Sequence, residues 1–191
     1  LETEYEQVLG TLRYRNSFID GYASRLHYFS EWISDNERKL LLTNVTRDLG
    51  GSIDREAIDF MSTHPNAYSQ LDDPRALEDM ERVERRLSQQ GHYFIPQDRI
   101  STVADQIRNG DIIAATSTVE GLDVEHTGLA LWVEDVLHLL YAPLVGESVQ
   151  VSTQPLSERI QAIDGQDGII VARAHEPGEA TPPSITNGEE S

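Results

Sequence analysis

The stretch Asp73-Pro74-Arg75-Ala76-Leu77-Glu78-Asp79-Met80-Glu81-Arg82-Val83-Glu84-Arg85-Arg86-Leu87-Ser88-Gln89-Gln90-Gly91-His92-Tyr93-Phe94-Ile95-Pro96 changes its period part-way. Up to Gly91 the apolar residues Leu77, Met80, Val83 and Leu87 fall three or four apart, which puts them on one face of a helix. Asp73 is a capping residue, Pro74 suits the first helical position and Gly91 is a stop. From Tyr93 onward the pattern is that of strands, with β-rich runs at 93–95, 111–116, 126–133, 136–142, 148–152 and 168–173. Upstream the period is helical. Leu1, Tyr5, Val8, Leu9 and Leu12 share a face, a loop is expected over 14–25, and Leu26, Phe29, Ile33, Leu40 and Leu41 predict a second helix near 26–42, closed by Gly50 and Gly51. Helices first and strands second indicate an α+β domain with a mostly antiparallel sheet rather than alternating βαβ units.

The charge balance narrows the partners. Among 191 residues, 15 Lys and Arg stand against 33 Asp and Glu, a net charge of −18. A nucleic-acid binder needs a clustered basic face to displace counterions, and an anionic membrane surface makes the same demand. No run of about 18 apolar residues exists, so no membrane span is expected. With 38 % hydrophobic residues, the chain can bury one core. We place it at 1–174, followed by a disordered tail at 175–191, where three Pro, two Gly and four Glu leave little to offset the entropy of ordering. Cysteine is absent, which removes disulfides, thiolate metal sites and a cysteine nucleophile from these residues. The chain opens on Leu1 inside a helical pattern, without a signal-peptide pattern, and reads as a piece of a longer protein.

Two clusters can carry chemistry. The first is Gly121-Leu122-Asp123-Val124-Glu125-His126-Thr127-Gly128, where His126 opens an apolar strand and Gly128, two residues on, leaves room beside the imidazole for a ligand or a neighbouring helix. His126 is then a base, or it caps a strand end in solvent. Asp123, Glu125 and His126 are sequence neighbours that do not converge readily on one ion, so no metal and no cofactor is expected. The second cluster, residues 22–32, alternates aromatic rings with polar groups: Tyr22, Ser24, Arg25, His27 and Trp32 suit a polar ligand, with Arg25 able to grip a carboxylate through two hydrogen bonds. Phe29 and Trp32 are equally candidates for the core. A serine hydrolase is disfavoured, because no Gly-x-Ser-x-Gly elbow is present. His64, His92, His138 and His175 show no ligand spacing, and His175 is assigned to the tail.

The order Leu12-Arg13-Tyr14-Arg15, Gly21-Tyr22-Ala23-Ser24-Arg25-Leu26-His27-Tyr28-Phe29-Ser30-Glu31-Trp32, Tyr93-Phe94-Ile95-Pro96, Gly110-Asp111-Ile112-Ile113 and Asp123-Val124-Glu125-His126-Thr127-Gly128 resembles the N-acetylmuramoyl-L-alanine amidase-like family of the papain-like NlpC superfamily. The resemblance runs from residue 1 to about 173. It implies a papain-like cysteine hydrolase fold and cleavage of the amide between the lactyl group of muramic acid and L-alanine in muropeptides or peptidoglycan fragments. It also implies a bacterial periplasm or envelope location, with a monomer expected. His126 matches the family's catalytic histidine. The third catalytic position falls on Tyr141, where relatives commonly carry His, and a phenol supports an imidazolium less well than a stronger acceptor. Tyr22, Ser24, Arg25, His27, Trp32 and Asp123 become candidates for holding substrate. The family's cysteine lies before the Arg-Tyr-Arg motif. Two explanations therefore stand: a fragment whose upstream helix carries the thiol, or a non-catalytic muropeptide-binding relative. A fragment is expected to expose apolar side chains of the sheet and to be marginal or sticky alone.

Overall fold

The computed structural model describes residues 2–146 and 148–176, leaving aside the side chain of Glu2. Six α-helices are found among them: α1 (Glu2–Arg13), α2 (Phe29–Arg38), α3 (Phe60–Thr63), α4 (Pro74–Gln90), α5 (Ile100–Val103) and α6 (Leu156–Ala162). They surround an eight-stranded sheet made of β1 (Leu42–Asn44), β2 (Ser52–Asp54), β3 (His92–Pro96), β4 (Ile112–Ser117), β5 (Val124–Val133), β6 (Val136–Tyr141), β7 (Gln150–Val151) and β8 (Gln166–Ala174). The strand order is β2-β3-β8-β4-β5-β6-β7, with β1 also paired to β8, and every pairing is antiparallel. The architecture is therefore α+β, as the segregation of periods predicts. None of the described helices is long and apolar enough to cross a membrane.

The switch from helix to strand happens where the sequence places it. The Asp73 side chain accepts a hydrogen bond from the Arg75 amide at 3.0 Å, capping α4 behind Pro74. Gly91 ends the helix at φ 66°, and a Cβ there would lie 2.5 Å from the Asp54 carbonyl oxygen, so the turn into β3 requires glycine twice over. The second predicted helix is shorter than expected. It stops at Arg38 because Leu40 turns to φ 59°, and Leu42–Asn44 is captured as a strand by β8. Sequence periodicity also passes over β2, α3, α5 and α6, which are too short to show a period.

The sheet has two covered faces. On one, Ile113, Ala115, Ala130, Leu137, Leu139, Ile169 and Val171 pack with Ile100, Val103, Leu156 and Ile160 from α5 and α6. On the other, Ala114, Ile170 and Ala172 pack with Ile33, Phe29 and Trp32 of α2. A third apolar cluster, Met80, Val83 and Leu87 with Tyr28, Ile58, Met61 and Leu71, seats α4. The expected tail from 175 begins too early: the His175 amide donates to the Leu41 carbonyl at 2.9 Å, and its ring meets Thr43 Oγ1 at 2.7 Å. Backbone pairing next to β1 holds that residue, and the remainder of the predicted tail, from 177, lies outside the described residues.

Among the described residues, no helix covers the α2 face over β5–β7. Register places Leu129 with Leu140 and Val151, and Val133 with Val136, all on that face; Leu129, Val133, Val136 and Val151 are about two-fifths exposed. Along α1, Tyr5 and Val8 of the predicted apolar stripe also stand in solvent. The 191-residue chain is therefore expected to bind a hydrophobic fluorescent dye while folded, and Leu129→Thr with Val151→Thr should lower that signal at least about twofold. A cooperative melt with no dye signal in the starting protein would show the face to be closed.

Candidate functional site

His126 owes its direction to an irregularity in β5. Ala115 pairs with His126 and Thr116 with Val124, so Glu125 is the extra residue of a β-bulge opposite the step from Ala115 to Thr116. Without it, His126 would share a face with Val124, which packs on the α2 side. With it, the imidazole joins the face of Ala115, toward α6, and Glu125 is left in solvent.

On that face the ring of His126 meets the ring of Tyr141 edge-on, centroids 5.3 Å apart at 78°. The expected hydrogen bond from imidazole to phenol is replaced by ring contact, and His126 Nε2 is buried with no partner among the described residues. The guanidinium of Arg159, from α6, lies 4.1 Å over the Tyr141 ring centroid. Burial, first, and the charge of Arg159, second, push His126 below the ordinary imidazole value, with Glu125 pulling the other way. That direction favours the neutral ring, the form that accepts a proton. The room expected beside it at Gly128 is taken: a Cβ there would lie 2.6 Å from the Leu140 carbonyl oxygen and 2.8 Å from Leu139 Cδ1, so this glycine serves the close approach of β6.

The aromatic segment builds a second region. A cavity of about 560 Å³ is lined by His27, Phe29, Trp32, Tyr68, Thr127 and Leu129, among others, and opens on the α2 face. Phe29 and Trp32 stack at 5.3 Å and also join the core, so both readings of these rings hold at once. The ring of His27 lies 4.4 Å from that of Tyr22 and donates from Nε2 to the Tyr22 carbonyl at 3.1 Å. Burial, with help from Arg25 and Arg15, holds His27 low as well. Arg25 is exposed. Ser24 is spent on its loop, donating to the Gly21 carbonyl at 2.8 Å and accepting from the Asp20 amide at 2.9 Å.

Asp123 is 4 % exposed and anchors the start of α2: its Oδ2 accepts from the Ser30 amide at 2.7 Å and from the Ser30 hydroxyl, and Oδ1 accepts from the Val124 amide at 2.8 Å. Behind it Tyr28 donates to the buried Glu84 at 2.6 Å and accepts from the Met61 amide at 2.8 Å, which ties α2 to α3 and α4; burial and Glu84 push the phenol up. Thus His126 and Tyr141 come together, His27, Trp32 and Asp123 come together, and the sheet separates the two groups at the bulge. Asp123, Glu125 and His126 do not form one cluster, and no group of three or more metal-ligating acids and histidines occurs among the described residues. Sequence reading passes over Arg159; its only signal is Pro155 followed by Leu156 and Ile160 at helical spacing.

The N-acetylmuramoyl-L-alanine amidase-like family matches residues 2–169. The chain belongs to that family. Among solved structures, an N-acetylmuramoyl-L-alanine amidase from Bacteroides uniformis is 35 % identical with a TM-score of 0.87, matching 92 % of this chain and 75 % of its own. A Bacteroides fragilis protein proposed to be a xylanase is 36 % identical with a TM-score of 0.85, over 91 % of this chain and 76 % of its own. A Legionella pneumophila protein, 18 % identical over 92 % of this chain and 70 % of its own, shares the fold at a TM-score of 0.63. No match is found among curated proteins.

Asp123 offers a direct test of this frame. Burial raises its carboxyl above the ordinary value of 3.8, against the lowering effect of Ser30. A raised acid stabilises the fold most fully below its unfolded pKa and loses that contribution as pH rises through the folded one. Asp123→Ala, which strands the Ser30 amide, should cost about 1–3 kcal/mol in urea unfolding. The deficit should be largest below the ordinary carboxyl value of 3.8 and narrow as pH rises above it.

Proposed function

We propose that this chain is the histidine-bearing part of a peptidoglycan hydrolase, with a papain-like, NlpC-type arrangement, that cuts the amide between the muramic acid lactyl group and L-alanine. The observation that carries the reading is the His126 imidazole, whose Nε2 is buried with no partner among the described residues beside Tyr141, in a chain of the amidase-like family. Such a nitrogen takes the proton of a thiol as the thiolate adds to the amide carbonyl. The resulting imidazolium returns that proton to the leaving L-alanine amine as the carbon–nitrogen bond breaks and a thioester forms. Water, deprotonated by His126, then adds to the thioester carbonyl, the carbon–sulfur bond breaks to release the lactyl carboxylate, and His126 returns the proton to the leaving thiolate. The 191 residues hold no cysteine, so the thiol in this reading comes from outside them. Tyr141 orients the imidazole by packing against it rather than by accepting its proton.

The aromatic cavity is the candidate for the rest of the muropeptide: Trp32 and His27 line it with flat surfaces, Tyr22 packs against the His27 ring, and Arg25 nearby in sequence offers an exposed guanidinium for a peptide carboxylate. Ser24 and Asp123 hold the frame on which these groups stand. Residues 1–174 act here as one domain, and the substrate class places it in a bacterial periplasm or envelope. A second reading, a muropeptide-binding relative without catalysis, is favoured by the missing thiol and by Tyr141 in place of a stronger acceptor.

The coding sequence before Leu1 decides between them. A cysteine codon there, with muropeptide hydrolysis by the full product that Arg25→Ala weakens and His126→Ala abolishes, is the expected outcome. In calorimetry on the 191-residue chain, Arg25→Ala should weaken binding of an anionic muropeptide roughly tenfold or more, the worth of a charge-assisted hydrogen bond, with Tm unchanged. No upstream cysteine and binding without turnover would establish the second reading, and no binding at all would remove both.

A further inference from the structure

Arg159 lies on a helix whose seat is well defined. Leu156 and Ile160, each 1 % exposed, fix α6 against the sheet, and the side chain between them reaches Tyr141, its guanidinium carbon 4.1 Å from the ring centroid. Among the described residues the Arg159 side chain makes no ion pair and no hydrogen bond, and its Nε is buried without a partner. In a chain with 33 acids to 15 bases this is a costly way to place a cation unless the ring itself is its purpose. The Tyr141 ring in turn meets His126 edge-on. The three side chains come from α6, β6 and β5, so no two of them are held together by sequence proximity.

We propose that Arg159 is a positioning residue that clamps Tyr141 from the α6 side and, through that ring, holds the His126 imidazole in place beside a fixed positive charge. The inference rests on His126 being the base of the proposed reaction. Stacking on an aromatic face orients a planar guanidinium and the ring together, and this restricts a tyrosine that meets His126 by ring contact alone among the described residues. The charged groups bearing on His126 are Arg159 from α6 and Glu125 from its own strand; β4 presents apolar Ala115 opposite, and β6 the neutral Tyr141. The cation opposes protonation of the imidazole and the glutamate favours it, so removing Arg159 leaves burial alone to oppose the glutamate.

The test is an NMR titration of His126 in the 191-residue chain. Arg159→Gln should raise its midpoint by about half a unit or more, the direction expected when a like charge leaves. Arg159→Lys, which keeps the charge, should restore the starting titration, and Tyr141→Phe, which keeps the ring, should leave it unchanged. A purely structural arginine would shift Tm in these variants without moving the titration. If Arg159→Gln folds and His126 titrates as before, the proposal is overturned. If that variant does not fold, Tyr141→Leu decides: it removes the surface on which the guanidinium rests, and an unaltered His126 midpoint overturns the proposal. No hydrolysis is read, so a chain that shows this coupling yet belongs to an inactive protein would overturn the proposed reaction and leave the clamp standing.

Discussion

Burial of Ile169-Ile170-Val171-Ala172 on both sides of the sheet is the constraint on which the rest of the molecule depends. All four are within 1 % of complete burial, and their alternation sends Ile169 and Val171 to the α5–α6 layer and Ile170 and Ala172 to the α2 layer. The strand that carries them pairs with β1, β3 and β4. Elements from both ends of the chain therefore meet on β8, and the helical first half and stranded second half become one α+β body. A strand buried on two faces also creates two chemical environments a few ångströms apart, one on each side of β4 and β5.

The bulge at Glu125 decides which of those environments His126 enters. One residue inserted in β5 reverses the face of every side chain on one side of it, since the strand period is two. Val124 stays with Phe29 and Trp32, while His126 turns toward Tyr141 and Arg159. Asp123, immediately before the bulge, holds the start of α2 through Ser30, so the same short segment fixes both the aromatic cavity and the imidazole. The two regions are linked by backbone rather than by side-chain contact, and a ligand reaching both has to pass around the edge of that segment.

Uneven solvation completes the picture. Burial is the chief cause that lowers the pKa of both His126 and His27, whereas the apolar residues Leu129, Val133, Val136 and Val151 face water on the α2 side. Two imidazoles are sheltered, and side chains that would ordinarily be sheltered are open.

Much of this was legible in the residues alone. The spacing of Leu77, Met80, Val83 and Leu87 between Asp73 and Gly91 determined α4 to its ends, because cap, proline and glycine act locally. The later β-rich runs determined β3 to β8 within a few residues, and the ordered motifs determined the family. Only the tertiary structure decided where the candidate site residues go. A bulge, a three-residue strand such as β1 and a four-residue helix such as α5 carry too few residues to show a period, so their presence follows from partners distant in sequence. Arg159 meets Tyr141 only because α6 is seated by Leu156 and Ile160 on the face to which the bulge has turned His126, and cross-sheet geometry of that kind is set by packing rather than by spacing.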